Sequence, residues 1–259
     1  MIDIKNKKEI SLMQEGGKIL ARVLRELLQN IKPGVSELKI DQLAEKLIKK
    51  AGAESGFKKV PGYNYSICVS TNDVVVHGVP TDYKFKEGDI VGIDCGIFYK
   101  GFHTDMAQTL RVSTINNQQS ASNKNDEIDK FLETGKKALN AGIRQAKEGN
   151  RVGHISQAIQ QVIEGRGYSV VKSLVGHGVG RDLHEEPEVP GYLAIKIEKT
   201  PVLKKGMTIA VEVIYNMGTA EVMHKGEDGW TIAAGDASLS GLFERTIAIT
   251  KNGPIVLTA

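Results

Sequence analysis

Apolar residues recur at helical intervals over the first fifty positions of the chain. The first amphipathic segment begins after Asn6, which has Glu9 at the capping-box spacing, and it ends at Pro33. A second segment follows Ser36 and stops at Gly52. The pattern therefore predicts two consecutive amphipathic helices.

Between residues 65 and 112 the pattern changes to short β-rich runs separated by Gly and Asp, as hairpins require. The predicted strands are Ser66–Ser70, Val74–His77, Asp89–Ile93, Phe98–Gly101 and Gln108–Val112. Residues 113–127 are rich in Asn, Gln and Ser, and this composition predicts a solvated polar linker.

The same order of motifs returns after this linker. Residues 31–52 match residues 146–167 at a constant offset of 115, and residues 86–94 match residues 204–212 at an offset of 118, which pairs Asp94 with Glu212. A period this long indicates a duplicated half-domain rather than a solenoid repeat. We therefore expect a single domain over 1–259, with halves of about 1–112 and 128–259 around a pseudo-two-fold axis.

The amino-acid composition argues against several classes of protein. With 41% apolar and 25% charged residues, the chain can form a globular core. It has no apolar run of about 18 residues, and its charged start predicts no signal peptide. Two cysteines cannot form a disulfide framework, so we expect a reduced, cytoplasmic protein. A net charge of +3 is too small to indicate a DNA-binding protein.

Five side chains with metal-binding chemistry lie in apolar surroundings: Asp94, Asp105, His177, Glu212 and Glu244. The ten residues between the two aspartates can form a hairpin that places both carboxylates on one side of a sheet. A carboxylate inside a buried strand needs a cation or another partner. Two divalent ions would balance the four carboxylates; oxygen-rich ligands favour Mn or Fe, with Co or Zn also suitable. Such a pair can activate water and polarise a carbonyl.

The order of these residues resembles that of the pita-bread metallopeptidases. Two segments around the histidines carry the resemblance, Gly176-His-Gly-Val-Gly180 and Leu183-His-Glu-Glu-Pro187. Finer motifs are similar to those of the type I methionine aminopeptidases, namely Asn72-Asp-Val-Val-Val-His77, Gly101-Phe-His-Thr-Asp105 and Asp228-Gly-Trp-Thr231. The resemblance covers about residues 5–255. It implies an α+β pita-bread fold, with two pseudo-symmetric halves of helices packed on a curved antiparallel sheet.

The same resemblance implies a hydrolase, a metal-dependent aminopeptidase that removes the N-terminal methionine from nascent proteins and peptides with a small second residue. It implies that Asp94 chelates one metal ion, that His177 and Glu212 bind the other, and that Asp105 and Glu244 bridge them. Glu212 would also act as the general base. His184 would steady the scissile carbonyl, and His77 would contact the substrate backbone and assist proton transfer. The residues implied for the methionine pocket are Tyr63, Cys68, Leu183 and Trp230.

Some positions depart from the family pattern and put the shape of the pocket in question. Val213 stands where the family usually has proline, and Leu174 stands where an aromatic residue or Met is common. Leu183 stands where relatives often present an aromatic residue. Gly191 stands where His or Asn usually precedes the aromatic residue.

Two other functions share part of this pattern. An Xaa-Pro aminopeptidase or dipeptidase would use the same five ligands, but such enzymes usually carry an additional N-terminal domain. A non-catalytic ribosome- or RNA-binding relative would be expected to lose ligands, and this chain has all five. Residues 1–59 carry 13 basic and 8 acidic side chains, a surface suited to ribosomal RNA. We expect a monomer with no membrane contact.

Overall fold

The computed structural model describes residues 2–113 and 126–259, in which helices and strands occur in two successive sets. The helices are α1 (Lys7–Asn30), α2 (Glu37–Lys50), α3 (Glu127–Gln145) and α4 (Val152–Glu164). The strands of the first set are β1 (Glu54–Ser55), β2 (Cys68–Thr71), β3 (Val74–Val76), β4 (Ile90–Tyr99) and β5 (Phe102–Arg111). Those of the second set are β6 (Ser169–Val170), β7 (Gly176–Gly178), β8 (Glu185–Val189), β9 (Thr208–Asn216), β10 (Val222–His224), β11 (Ile232–Ala234), β12 (Ser240–Thr250) and β13 (Gly253–Val256).

Local capping sets the starts of the first two helices. The Asn6 side chain accepts hydrogen bonds from the backbone N–H groups of Lys8 and Glu9, and the Glu9 carboxylate accepts one from the Asn6 N–H. Ser36 Oγ accepts from the N–H of Lys39 at the start of α2. These caps satisfy N–H groups that have no partner within the helix. Both predicted helices are confirmed.

The third helix begins earlier than the predicted linker ends. Asp126 caps α3 by accepting a hydrogen bond from the Ile128 N–H, and Glu127 is already helical. The predicted linker of residues 113–127 is therefore too long at its C-terminal end. Its central part, residues 114–125, lies outside the described residues, and the assignment of 1–259 to one domain stays a prediction.

One long hairpin replaces three of the predicted short strands. Strands β4 and β5 contain ten residues each and are joined by Lys100 and Gly101, whose φ angles are 49° and 89°. Such a two-residue turn with positive φ angles matches the twist of the flanking strands. The sequence pattern divided the hairpin because Asp94, Gly96 and Asp105 have low strand propensity. Burial of the hairpin outweighs this local preference.

The two large sheets each carry a pair of helices. In the first, β4 lies between β1 and β2 and also pairs with β5, and α1 packs on β4 and β5. In the second, the order is β13-β12-β9-β7-β8, and α3 packs on β9 and β12. A third, small sheet has the order β10-β11-β3. All strand pairs among these elements are antiparallel. The expected α+β fold of two helix-covered halves is confirmed.

Threonine side chains connect the two large sheets where β5 and β12 meet. Thr246 Oγ1 donates to the Asp105 carbonyl oxygen at 2.7 Å and accepts from the Asp105 N–H at 2.9 Å. Thr109 Oγ1 makes the same pair of bonds with the backbone of Leu242. Hydroxyl groups thus satisfy backbone groups along this junction, and the junction places Asp105 beside the second half.

Among residues 2–113 and 126–259, no helix is long and apolar enough to cross a lipid bilayer.

Candidate metal centre

The register of the first hairpin places its two aspartates on one face. Asp94 lies opposite Ala107, and Asp105 lies opposite Gly96. Residues that oppose each other in an antiparallel pair share a face, as do residues two apart on one strand. The two carboxylates are therefore diagonal neighbours, as the predicted hairpin required.

The second half supplies three further side chains by the same geometry. Glu212 on β9 lies directly opposite Glu244 on β12. His177 on β7 lies opposite Ala210, two residues before Glu212, and therefore shares its face. The donor atoms of Asp105, His177 and Glu244 all lie within 4.8 Å of one another.

All five predicted ligand residues line one cavity of about 200 Å³. His77 and His184 line it too, and so do the four residues predicted for the methionine pocket: Tyr63, Cys68, Leu183 and Trp230. The structure thus brings together every candidate site residue of the sequence, although these come from both halves of the chain. Their individual roles stay predictions.

Burial and mutual repulsion disfavour the ionised forms of the clustered carboxyls. Burial raises the pKa of Asp105 to about 7, and burial with the nearby Asp105 charge raises the pKa of Glu212 to about 8. Burial, followed by the neighbouring carboxylates, also raises the pKa values of Asp94 and Glu244 well above the ordinary range. Four such groups can all ionise near neutral pH only with positive charge beside them.

Two carboxylate oxygens in this cluster have no hydrogen-bond partner among the described residues, namely Asp94 Oδ1 and Asp105 Oδ1. An orphaned buried oxygen is costly, and a bound cation removes that cost. Oxygen donors with one imidazole suit hard or borderline divalent ions. The residues present therefore fit a divalent metal site.

The three histidines of the cavity are held in their neutral forms. Burial, with a smaller effect of His184, lowers the pKa of His177 to about 4, and burial also lowers the pKa values of His77 and His184. His177 Nδ1 lies 2.8 Å from the Gly178 carbonyl oxygen, so Nδ1 carries the hydrogen and Nε2 keeps its lone pair. The His177 and His184 ring centroids are 4.3 Å apart.

An apolar pocket adjoins the carboxylate cluster in the same cavity. The Tyr63 and Trp230 rings pack edge to face, with centroids 5.2 Å apart. The Tyr63 hydroxyl donates to the Ile67 carbonyl oxygen, which fixes the ring. Phe57 and Val60 also line this wall, and neither was predicted from the sequence. Their three-residue spacing fits the short 3₁₀ helix found at Phe57–Lys59, but Lys58 and Lys59 between them indicated a solvated surface.

Only some of the departures from the family pattern reach the cavity. Leu174 and Leu183 line it. Val213 is fully buried in the core of the second half, and a Cβ atom at Gly191 would meet Val170, Ile159 and the Glu212 carbonyl oxygen. The shape of the pocket can therefore differ through the two leucines, whereas Val213 and Gly191 affect the packing behind it.

Comparisons with known proteins agree with this geometry. The sequence model of metallopeptidase family M24 matches residues 11–251. A methionine aminopeptidase of Clostridium perfringens is 42% identical over 258 residues, which cover 100% of this chain and 99% of that protein. The crystal structure of methionine aminopeptidase from Thermotoga maritima superposes with a TM-score of 0.91 at 39% identity, covering 100% of this chain and 99% of the other.

A more distant likeness extends to proline-specific enzymes. The prolidase from Pyrococcus furiosus gives a TM-score of 0.74 at 25% identity, and the likeness covers 99% of this chain but 65% of the prolidase. The family match over most of the sequence, together with the full-length relatives, establishes the family relationship. The chain belongs to metallopeptidase family M24.

Proposed function

We propose that this protein is a methionine aminopeptidase, which removes the N-terminal methionine from peptides and nascent proteins that have a small second residue. The observation that carries the proposal is one cavity in which a carboxylate–imidazole cluster adjoins an apolar pocket with aromatic walls. The full-length similarity to methionine aminopeptidases supports it. The cluster supplies hydrolytic chemistry, and the pocket supplies selectivity for the first side chain.

The cluster would hold two divalent cations, with Mn, Fe, Co and Zn as the candidates. Asp94 would bind one ion, His177 and Glu212 the other, and Asp105 and Glu244 would bridge both. When bound, such ions act as Lewis acids that polarise a peptide carbonyl and make water acidic. The free lone pair of His177 Nε2 and the orphaned oxygens of Asp94 and Asp105 support this assignment.

Three side chains of the cavity would move or hold protons around the scissile bond. Glu212, ionised beside bound cations, accepts the proton of the attacking water and can then release that proton to the leaving amine. His184, neutral at pH 7, donates a hydrogen bond to the carbonyl oxygen as that oxygen gains charge. His77 contacts the peptide backbone and assists the transfer to the leaving amine.

The apolar pocket would take the side chain of the first residue. An unbranched, polarisable thioether packs well against an aromatic edge such as that of Tyr63 or Trp230. Cys68 and Leu183 complete a narrow apolar wall beside these rings. Rejection of large second residues would come from crowding near His77 rather than from this pocket.

The deciding experiment compares two peptides on one preparation. The protein is stripped with a chelator, reloaded with Mn²⁺ or Co²⁺, and assayed on Met-Gly-Ser and on Ala-Pro. We expect hydrolysis of Met-Gly-Ser by the loaded protein alone. Faster hydrolysis of Ala-Pro than of Met-Gly-Ser would instead assign the protein to the proline-specific enzymes. Full activity at a measured metal content of zero would remove the metal-dependent mechanism.

We also propose that the enzyme is a cytoplasmic monomer that contacts the ribosome through the basic surface of residues 1–59. Cys68 and Cys95 are free buried thiols, which suits a reduced compartment. The net charge of +5 over residues 1–59 favours a phosphate-rich partner. We expect the protein to co-sediment with ribosomes, and we expect this binding to weaken as the salt concentration rises. Analytical ultracentrifugation of the free protein measures its mass and so tests whether it is a monomer.

A further inference from the structure

The turn of residues 180–185 presents two cavity residues but has no helical or strand hydrogen bonding over residues 180–184. Leu183 and His184 line the cavity from this turn, and the His184 ring packs against that of His177. Such a segment has no regular ladder to fix its shape, so its conformation depends on individual contacts. The contacts that fix the conformation of this turn therefore also fix the position of His184.

The side chain of Lys5, near the start of the sequence, packs into this turn. The Lys5 side chain is 1% exposed, and its Nζ donates to Glu185 Oε2 and lies 3.4 Å from an Asp3 carboxylate oxygen. The Lys5 backbone N–H donates to the Gly206 carbonyl oxygen at 2.8 Å. Both the backbone and the ammonium group of Lys5 are thus anchored to the second half of the chain.

The carboxylate of Glu185 links this ammonium group to the backbone of the turn. Glu185 Oε1 accepts a hydrogen bond from the Asp182 N–H, and the Asp182 carbonyl oxygen accepts one from the Gly180 N–H. The Gly180 carbonyl oxygen in turn accepts from the His103 N–H at 2.6 Å. A continuous set of contacts therefore leads from Lys5 through Glu185 to the residues that flank Leu183 and His184.

Gly180 shows how closely the lysine approaches the turn. A Cβ atom at this position would overlap Lys5 Cε and Nζ and would also meet Glu185 Oε1. The absence of a side chain at Gly180 is therefore what allows the ammonium group to lie inside the turn.

We propose that Lys5 is a positioning residue for the reaction: its buried ion pair with Glu185 fixes the turn that presents His184 and Leu183 to the substrate. The inference rests on the proposed function, because it assigns His184 to the scissile carbonyl. A buried ion pair adds little net stability, since desolvation offsets the attraction, whereas it can select one conformation. Its effect should therefore fall on catalysis more than on folding.

The test uses three variants of the metal-loaded enzyme. Lys5→Met removes the ammonium group and leaves Glu185 unpaired. Lys5→Met/Glu185→Gln removes both charges and so relieves the unpaired carboxylate. Lys100→Met is the matched control, because Lys100 is a half-exposed cation of a different turn, between β4 and β5, that pairs with Glu15 on α1. The measurements are kcat and KM on Met-Gly-Ser, metal content, melting temperature, and hydrogen exchange of peptides spanning 180–186.

We expect Lys5→Met to lower kcat by about ten- to a hundredfold, the effect of a misplaced catalytic group, and to raise KM by less than that, because Leu183 belongs to the same turn. Metal content should be little changed. Hydrogen exchange should accelerate in residues 180–186 and stay unchanged in β9. The double variant should regain the melting temperature of the wild type but remain slow. Lys100→Met should keep kcat within about twofold.

Recovery of kcat together with melting temperature in the double variant would show that Lys5 acts on stability alone and would overturn the proposal. Unchanged exchange across 180–186 in Lys5→Met would overturn it as well. The exchange measurement does not depend on activity. If the wild type fails to cleave Met-Gly-Ser, the proposed function fails, while the exchange data still decide whether Lys5 holds the turn.

Discussion

Glu212 and Glu244 face each other across two neighbouring strands, and burial, followed by the charges of Asp105, Asp94 and Glu212, raises the pKa of Glu244. Replacing Glu212 by Gln nearly keeps the volume of the side chain and removes one of these charges. It also removes the proposed general base, so we expect kcat to fall by about 10²–10⁴-fold while the fold persists. Steady-state kinetics on Met-Gly-Ser, with metal content measured on the same sample, checks this expectation.

Glu221→Gln is the matched control for that substitution, because Glu221 is an exposed glutamate that does not line the cavity. It should leave kcat unchanged. Normal turnover in Glu212→Gln with full metal content would exclude Glu212 as the base. A loss of metal in parallel with turnover would instead assign Glu212 to metal binding alone.

The pocket residues lead to a second prediction, on selectivity for the first side chain. Tyr63, Cys68, Leu183 and Trp230 present apolar surface, and the Tyr63 hydroxyl is already donated to a backbone carbonyl. We expect kcat/KM to be highest for Met, closest for norleucine, lower for Leu and lowest for Lys in Xaa-Gly-Ser peptides. One methylene-sized mismatch costs about 1–3 kcal/mol in such pockets. Equal values for Met and Lys would reject the methionine pocket while leaving the metal chemistry intact.

At the level of single residues, charged side chains inside apolar runs were the signal that predicted the site. Glu212 and Glu244 stand out in sequence because an isolated carboxylate in a buried strand is costly. Arg245 gave no such signal, although it is the neighbour of Glu244. Its guanidinium donates to the Ala107 carbonyl oxygen and to Gln108 Oε1 on β5. These partners lie 137 or more positions away in the sequence, and no local pattern points to them.

At the level of elements, helices were predicted more accurately than strands. The caps at Asn6 and Ser36 are local signals, and the structure confirms both helix starts. The β4–β5 hairpin was divided because its residues face packed surfaces on both sides, which removes the alternation that identifies a strand. Gly92 and Gly96 interrupt the apolar run, yet both lie within β4.

The junction between β5 and β12 allows a third prediction. Thr246 Oγ1 makes two hydrogen bonds with the backbone of Asp105. Thr246→Val keeps the shape of the side chain but leaves those two backbone groups unpaired, at a cost of about 1–3 kcal/mol. Because Asp105 is a proposed bridging ligand, metal affinity should fall as well. Urea unfolding of the loaded protein and a metal titration measure the two effects.

Thr134→Val in α3 is the control for that substitution, because Thr134 is also buried and its hydroxyl donates to the Lys130 carbonyl oxygen within the helix. It should alter stability by about 1 kcal/mol or less and leave metal affinity unchanged. Equal effects of both substitutions on metal affinity would show that the threonine junction does not hold Asp105 in place.

At the scale of the whole molecule, the internal repeat predicted two related halves, and the cavity draws on both of them. It takes Asp94 and Asp105 from the first half and His177, Glu212 and Glu244 from the second. The sequence did not reveal how the halves are joined. That depends on contacts between distant positions, such as those of Thr246 with Asp105 and of Lys5 with Glu185.

Four carboxyl groups from the two halves lie together in the cavity. Their proximity leads to the last prediction, which concerns how the stability of the protein depends on pH. In protein stripped of metal, the folded-state pKa values of Asp105 and Glu212 are raised to about 7 and about 8, above their ordinary values of 3.8 and 4.5. Acids with raised pKa values stabilise the folded state below their unfolded pKa, and that stability is lost as pH rises through the folded pKa. The stripped protein should therefore lose stability, on the order of several kcal/mol, between about pH 4 and pH 8.

Metal binding should reverse this dependence, because a bound cation favours the deprotonated carboxylates and its affinity rises with pH. The difference in melting temperature between loaded and stripped protein should thus widen from pH 5.5 to pH 8. Glu212→Gln removes one of the groups with a raised pKa, so the stripped variant should lose less stability over this range than the stripped wild type. Melting curves of all three samples at matched ionic strength test the prediction. A stripped wild type whose melting temperature is constant or rises across this range would show that the carboxyls do not repel one another in the folded protein.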